Sequence, residues 1–351
     1  MGFSSFCDIR AMRVKPSVIY NPHLTKNDPV LTCEVPLRRS AHFFATALFL
    51  LLSLPSFAQT PAAALKIDVK TPFNFIAYGD IRFMNPSNTK DSDPVRRKLL
   101  VDKIVAERPS FLLITGDLVA NGSDPRQWEV FDQETAPLRN AGVRIFPALG
   151  NHDLRGDSSV ALENYFQRFH DIQDSRYYSL RAGNVMVFTL DSSLDRPGGP
   201  EMQWFDQQIQ ALPDGVQFVV VQLHHPPLTR SHDFAMGGGH SPREPEEDMA
   251  KFVESRAAQS KAKFVVVAGH VHNYERYDRN GVMYIVSGGG GATPYMINRE
   301  PGDFYTDPGP SYHYCRFEVR RGELSMHMIK LNWNGKTANW QERDSFKLSA
   351  K

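Results

Sequence analysis

A chain of 351 residues, 41% of them hydrophobic, is long enough to bury a sizeable core as one large domain or two ordinary ones. Its 40 basic and 39 acidic residues leave a formal charge of +1, so nothing in the balance points to nucleic acid or an anionic membrane as the main partner. Any selectivity for anions must be local.

Ahead of any globular pattern, Arg38 and Arg39 precede an apolar stretch at 41–54 and the small-residue sequence Ser56-Phe57-Ala58. This is the arrangement of a secretory signal cleaved after Ala58, and an apolar run of about 14 residues is short of the roughly 20 that a membrane span needs. Residues 35–58 are expected to be that signal, which predicts a periplasmic or secreted protein with no membrane span after its removal. Residues 1–34 lack apolar periodicity and read as a non-native or disordered extension, with the true start at Val35 or Leu37. Two of the three cysteines, Cys7 and Cys33, lie in that extension. Cys315 then stands alone in the mature chain, which excludes an intrachain disulfide.

From residue 73 onward short β-rich runs alternate with amphipathic ones, the pattern of an α/β domain. Strands are predicted at 73–78, 111–115, 143–148, 185–190, 218–223, 264–267 and 282–287, and helices at 95–107, 126–140, 160–169, 201–212 and 245–259. A turn at 181–184 joins a short strand at 177–180 to the one at 185–190, and alternating runs at 314–319 and 323–331 form a closing hairpin around Arg321 and Gly322. The long irregular stretch 225–247 holds Pro226, Pro227, three successive glycines from Gly237, and His232 and His240; it is either a lid or binding loop or a plain surface loop. Residues 333–351 are polar and read as a C-terminal tail with at most a short strand.

The strand ends carry the chemistry. Gly79-Asp80, Gly116-Asp117, Gly150-Asn151-His152-Asp153 and His224-His225 each fall where an apolar run gives out, and Gly269-His270-Val271-His272 follows the run at 264–267. In open α/β sheets ligands gather at the carboxyl ends of strands. In extended backbone His270 and His272 would leave the same side, with Gly269 allowing a sharp turn. A single Asp at a strand end is more often a turn or helix cap, but five such ends together fit a metal site better. Carboxylates and imidazoles suit Mn, Zn or Fe, and a carboxylate between two ions can bridge them. A neutral Asn ligand leaves the site net positive, which favours an anionic substrate.

This ordered series resembles the calcineurin-like metallophosphoesterase superfamily over roughly residues 73–291, and the strings at 221–224 and 269–276 are most similar to purple acid phosphatases. The resemblance implies a four-layer αββα sandwich of two mixed β-sheets flanked by helices, spanning 66–332. It implies two divalent or trivalent ions (Fe, Mn or Zn), with Asp117 bridging them, Asn151, His224 and His270 completing one site, and Asp80 and His272 contributing to the other. His152 would bind the phosphate and help protonate the leaving oxygen, Asp153 would orient its ring, and His225 would be a neighbour and not a ligand. The implied reaction is hydrolysis of a small-molecule phosphate mono- or diester by a metal-held hydroxide attacking phosphorus directly.

Two positions depart from the family pattern. Most of the superfamily has a histidine two residues after the first aspartate, and purple acid phosphatases have a tyrosine three residues after the second; here those places hold Arg82 and Ala120. Arginine has no lone pair to donate, so the first metal lacks its fourth ligand and its site is expected to be weak or empty. Water, Asn85 or Asn121 could supply a ligand while Arg82 contacts the substrate phosphate, for which a guanidinium is suited. Alternatively the guanidinium takes the place of the first metal, giving a single-metal enzyme or a phosphate- or nucleotide-binding protein, or it pairs with Asp80 or Asp117 only to neutralise charge.

Overall fold

The computed structural model describes residues 62–194, 198–231 and 240–350. The expected signal and the extension before it lie outside the described residues, as do His232 and the three glycines of the long loop.

In chain order the elements are β1 (Ala63–Ile67), β2 (Phe73–Tyr78), α1 (Pro94–Glu107), β3 (Phe111–Ile114), α2 (Pro125–Glu134), α3 (Ala136–Asn140), β4 (Arg144–Pro147), α4 (Ser158–Phe166), β5 (Tyr178–Ala182), β6 (Val185–Thr189), α5 (Pro200–Gln210), β7 (Phe218–Gln222), α6 (Glu244–Gln259), β8 (Lys263–Ala268), β9 (Tyr274–Arg279), β10 (Val282–Ser287), β11 (Tyr312–Arg320), β12 (Glu323–Trp333) and β13 (Ala338–Ser349). Local chemistry sets several of the starts. Asp93, Asp124 and Asp157 accept hydrogen bonds from the first-turn amides of α1, α2 and α4, and α1, α2 and α5 open on a proline whose missing N–H is not needed there. The single helix read over 126–140 is two, because the Thr135 hydroxyl bonds to the Phe131 carbonyl and Pro137 interrupts the amide ladder.

The strands form two mixed sheets, one of seven in the order β1-β5-β6-β7-β8-β10-β9 and one of six in the order β13-β12-β11-β2-β3-β4. Alternation along β6 shows how they stack. Val185 and Val187 join the core shared by both sheets, while Met186 and Phe188 face Phe205 and Ile209 of α5 and Val253 of α6. On the six-stranded sheet Phe75 lies stacked between Phe111 and Phe317, with centroids 4.9 and 4.7 Å away. Leu100 and Ile104 of α1, Trp128 and Phe131 of α2 and Leu138 of α3 are buried in the same cluster. The result is the four-layer αββα sandwich expected of the resemblance.

Three strands escape the sequence reading. β9 pairs antiparallel with β10 through Asn280 and Gly281, both at positive φ (52° and 78°), a two-residue hairpin turn. β13 replaces the polar tail expected over 333–351: its twelve residues pair along β12, and Trp340, Phe346 and Leu348 pack on the core while alternate residues face solvent. β1 adds an edge parallel to β5. Among the described residues no helix is long and apolar enough to cross a membrane.

Candidate metal centre

The parallel strands β2, β3 and β4 of one sheet and β7 and β8 of the other end on the same side, and their last turns bring the chemistry together. These turns are not extended backbone. Asp80, Arg82, Asp117 and His270 all have positive φ, at 57°, 53°, 53° and 70°. Such residues cost of order 1–3 kcal/mol each, and they collect where the surrounding structure over-determines a functional geometry. This corrects the expectation for the two β8 histidines: they reach the site through a left-handed turn at His270. Gly269 is not at positive φ. A Cβ there would lie 2.6 Å from Asp80 Oδ2 and 2.8 Å from Thr115 Oγ1, so glycine is required by close approach. Gly150 is similar, since its Cβ would meet the Asp117 main chain at 2.3 Å.

The six expected ligand residues converge. His224 donates from Nδ1 to the Thr115 carbonyl (2.9 Å), which leaves Nε2 as a lone pair, and that atom lies 3.0 Å from Asn151 Oδ1 and 3.3 Å from Asp117 Oδ1. His270 Nδ1 stands 3.1 Å from Asn151 Oδ1 and 3.2 Å from His224 Nε2. On the other side of Asp117, the His270 amide donates to Asp80 Oδ2 (2.8 Å), and His272 donates from Nδ1 to the Thr293 carbonyl (3.0 Å). This leaves His272 Nε2 and Asp80 Oδ1, 3.7 Å apart, both buried and both without a hydrogen-bond partner.

Burial pushes Asp80 well above the usual carboxylate range, and the Asp117 charge adds to it. Burial acts on Asp117 in the same sense, but His224, His152 and Arg82 together outweigh it and hold that carboxyl low. Burial depresses His224 and His272, so both rings are neutral. Even with Asp80 protonated, the neutral imidazole lone pairs, the amide oxygen and the buried carboxylates offer more acceptors than protons. They fit metal ions on both sides of Asp117.

The surroundings differ from expectation in three ways. The His152 ring is fixed by the Ala120 carbonyl at 2.8 Å from Nδ1, not by Asp153. Asp153 instead accepts from the amides of Leu118 (2.8 Å) and Val119 (3.2 Å) through Oδ1 and of Gly150 (2.9 Å) through Oδ2, tying the β3 and β4 loops together. Asn121 and Asn85, the two further ligands considered, give their side-chain oxygens to local turns at Ser123 and Ser87. Arg82 reaches with Nη2 to Asp117 Oδ2 (3.3 Å) and His152 Nε2 (2.9 Å). His152 is held down to about 4 by burial, with Arg82 adding against the pull of Asp117, so Nε2 is an acceptor.

The sequence model of the family described as calcineurin-like phosphoesterase matches residues 74–288, from the start of β2 to just past the end of β10. This chain belongs to that family. Among curated proteins it is similar to purple acid phosphatase 23 of Arabidopsis thaliana, at 25% identity over 250 residues covering 60% of this chain and 52% of the relative, so the chain spans about half the length of that protein. Among solved structures it resembles a purple acid phosphatase from yellow lupin (Lupinus luteus) seeds with a TM-score of 0.62 at 18% identity, covering 80% of this chain and 54% of that one. A dimetal phosphatase from Danio rerio gives 0.53 at 14% identity, with 80% and 100% covered. These two likenesses are of fold.

Around the centre of this calcineurin-like phosphoesterase stand residues that sequence reasoning passed over. Arg155 places Nη2 3.2 Å from His152 Nε2, and no pattern in the loop after Asp153 announces it. Thr293 and Ala120 act through their carbonyls, which any residue type supplies. His225 also comes within ligand distance: one ring nitrogen each from His224, His225 and His270 lie within 4.8 Å of one another, although His225 Nδ1 is engaged by Ser192 Oγ at 2.8 Å. His240, from the long irregular stretch, sets its ring 4.7 Å from that of His270 at a tilt of 40°, which places that end of the stretch beside the site.

Proposed function

We propose that this calcineurin-like phosphoesterase hydrolyses phosphate esters of small molecules, with Asp117, Asn151, His224 and His270 holding one metal ion and Asp80, Asp117 and His272 holding a second. The observation that carries this reading is the convergence of buried ligand atoms, His272 Nε2 and Asp80 Oδ1 above all, which stand 3.7 Å apart with neither making a hydrogen bond. The ions, Fe, Mn or Zn, would supply Lewis-acid charge and lower the pKa of a water nucleophile. The protein's own contribution is positional. Thr115 and Thr293 fix the tautomers of His224 and His272 through their carbonyls, so that each ring offers Nε2. His152, its ring set on Ala120, presents Nε2 to the cleft as a lone pair, which must take up a proton before it can pass one to the leaving oxygen.

Metal analysis together with turnover tests the reading. Two ions per chain and hydrolysis of p-nitrophenyl phosphate or its bis-ester are expected after reconstitution with Mn, Zn or Fe. A protein that stays inert to both esters overturns it. The contact of Arg82 Nη2 with Asp117 Oδ2 favours a second reading, in which the guanidinium takes the place of the first metal and the protein works with one ion or binds phosphate compounds without turnover. One ion per chain, with phosphate binding but no hydrolysis, selects that reading. The expected destination, periplasm or exterior, is checked by N-terminal sequencing of the exported protein, which should begin at Gln59.

A further inference from the structure

Two guanidinium groups approach a single imidazole nitrogen. Arg82 Nη2 and Arg155 Nη2 lie 2.9 and 3.2 Å from His152 Nε2, on the wall of a cleft of about 590 Å³ that also includes Asn151 and His270. Like charges drawn to one lone pair are poorly compensated. Asp117 Oδ2 pairs with Arg82 at 3.3 Å, but Arg155 makes no ion pair among the described residues, and Arg82 Nε is buried without a hydrogen-bond partner. Among the described residues the cleft lining contains one carboxylate, Asp91, whose Oδ2 is engaged by Asn88 Nδ2 at 2.9 Å. The wall therefore has unspent donors and positive charge beside the metal ligand Asn151.

We propose that Arg82 and Arg155 form a clamp for the terminal oxygens of a phosphomonoester dianion and set a preference for monoesters over diesters. The inference rests on the phosphoesterase reading for its substrate and on these two side chains for its selectivity. A monoester above its second pKa of about 6 carries close to two charges and three unsubstituted oxygens, enough to engage the metal side and both guanidinium forks together. A diester carries one charge and has a second substituent where an oxygen would meet the clamp. Arg82 sits at a left-handed backbone position on the β2 loop and is only 14% exposed, so its fork is held in place. Arg155 is exposed and can close onto a bound group.

The test uses the metal-replete protein and its Arg155→Ala and Arg155→Lys variants, with inorganic phosphate at pH 8 as the calorimetric probe and p-nitrophenyl phosphate and bis-p-nitrophenyl phosphate as substrates. Loss of a charge-assisted contact should weaken phosphate binding by about tenfold or more in Arg155→Ala, with partial recovery in Arg155→Lys. The ratio of kcat/KM for monoester to diester should fall by a similar factor. Phosphate affinity unchanged within about twofold, or both esters losing rate in equal proportion, overturns the clamp. If neither ester is turned over but phosphate binding still depends on Arg155, the hydrolytic reading fails and the clamp stands.

Discussion

Asp153 spends both carboxylate oxygens on the main chain, taking the amides of Leu118, Val119 and Gly150 and no contact with the neighbouring imidazole. The distinction can be tested. Asp153→Asn keeps the shape but turns one acceptor into a donor facing an amide, which should cost about 1–3 kcal/mol in urea unfolding. Metal content should fall with it, because the same amides hold the loops that carry Asp117 and Asn151. A variant of wild-type stability and metal content with only kcat reduced would restore the ring-orienting role. The ligand set itself was legible because each member is a chemically distinctive side chain at the end of an apolar run. Asp153 was misread because its partners are backbone N–H groups, which leave no trace in residue identity. Arg155 was missed for a different reason: one arginine in a polar loop has no signature until folding brings it to His152.

At the scale of elements, the parallel strands were readable because buried on both faces they are continuous apolar runs such as Val219, Val220 and Val221, all fully buried. β9 and β13 were harder, since Tyr274–Arg279 and Ala338–Ser349 are largely polar strands of which one face alone packs, and their pairing comes from β10 and β12. Asn280-Gly281 was the available signal for the first. The loops after the strands impose a tighter constraint than the strands do. His270 donates its amide to Asp80 Oδ2 only because the preceding residue has no Cβ to collide with that oxygen. Gly269→Ala should therefore push the β8 loop off Asp80, destabilising the fold by about 1–3 kcal/mol and releasing metal from the Asp80–His272 side first. Differential metal analysis of the purified variant, alongside its melting curve, checks this. Unchanged metal content at unchanged stability would mean that the loop has another way to settle.

The arrangement of the whole molecule was legible through the family resemblance and not through periodicity, which identifies strands but not which sheet they join or what lies between the sheets. Several buried side chains link the two, among them Gln222, Tyr178 and His313. His313 on β11 of the six-stranded sheet donates from Nδ1 to the Ser311 carbonyl (3.1 Å) and accepts at Nε2 from Ser287 Oγ (3.2 Å) at the end of β10 in the seven-stranded sheet. Its ring also fills the space in which a Cβ on Gly289 would come within 2.2 Å. Burial lowers its pKa to about 3 from an ordinary 6.5, the Ser311 bond opposing only in part. Between those two values the unfolded chain binds a proton at this residue that the folded chain refuses, so stability rises with pH across the interval and is lost as pH falls from about 6.5 toward 3. His224 and His272 act in the same direction in the metal-free protein, so the contribution of His313 must be isolated by difference. His313→Gln cannot take up that proton. It should be less stable than the parent at pH 7.5, and its unfolding free energy in urea titrations should decline less steeply on acidification, the two slopes differing by up to about 1.4 kcal/mol per pH unit. Parallel pH dependences in the two proteins would show that the two sheets part in acid for reasons unconnected with the imidazole between them.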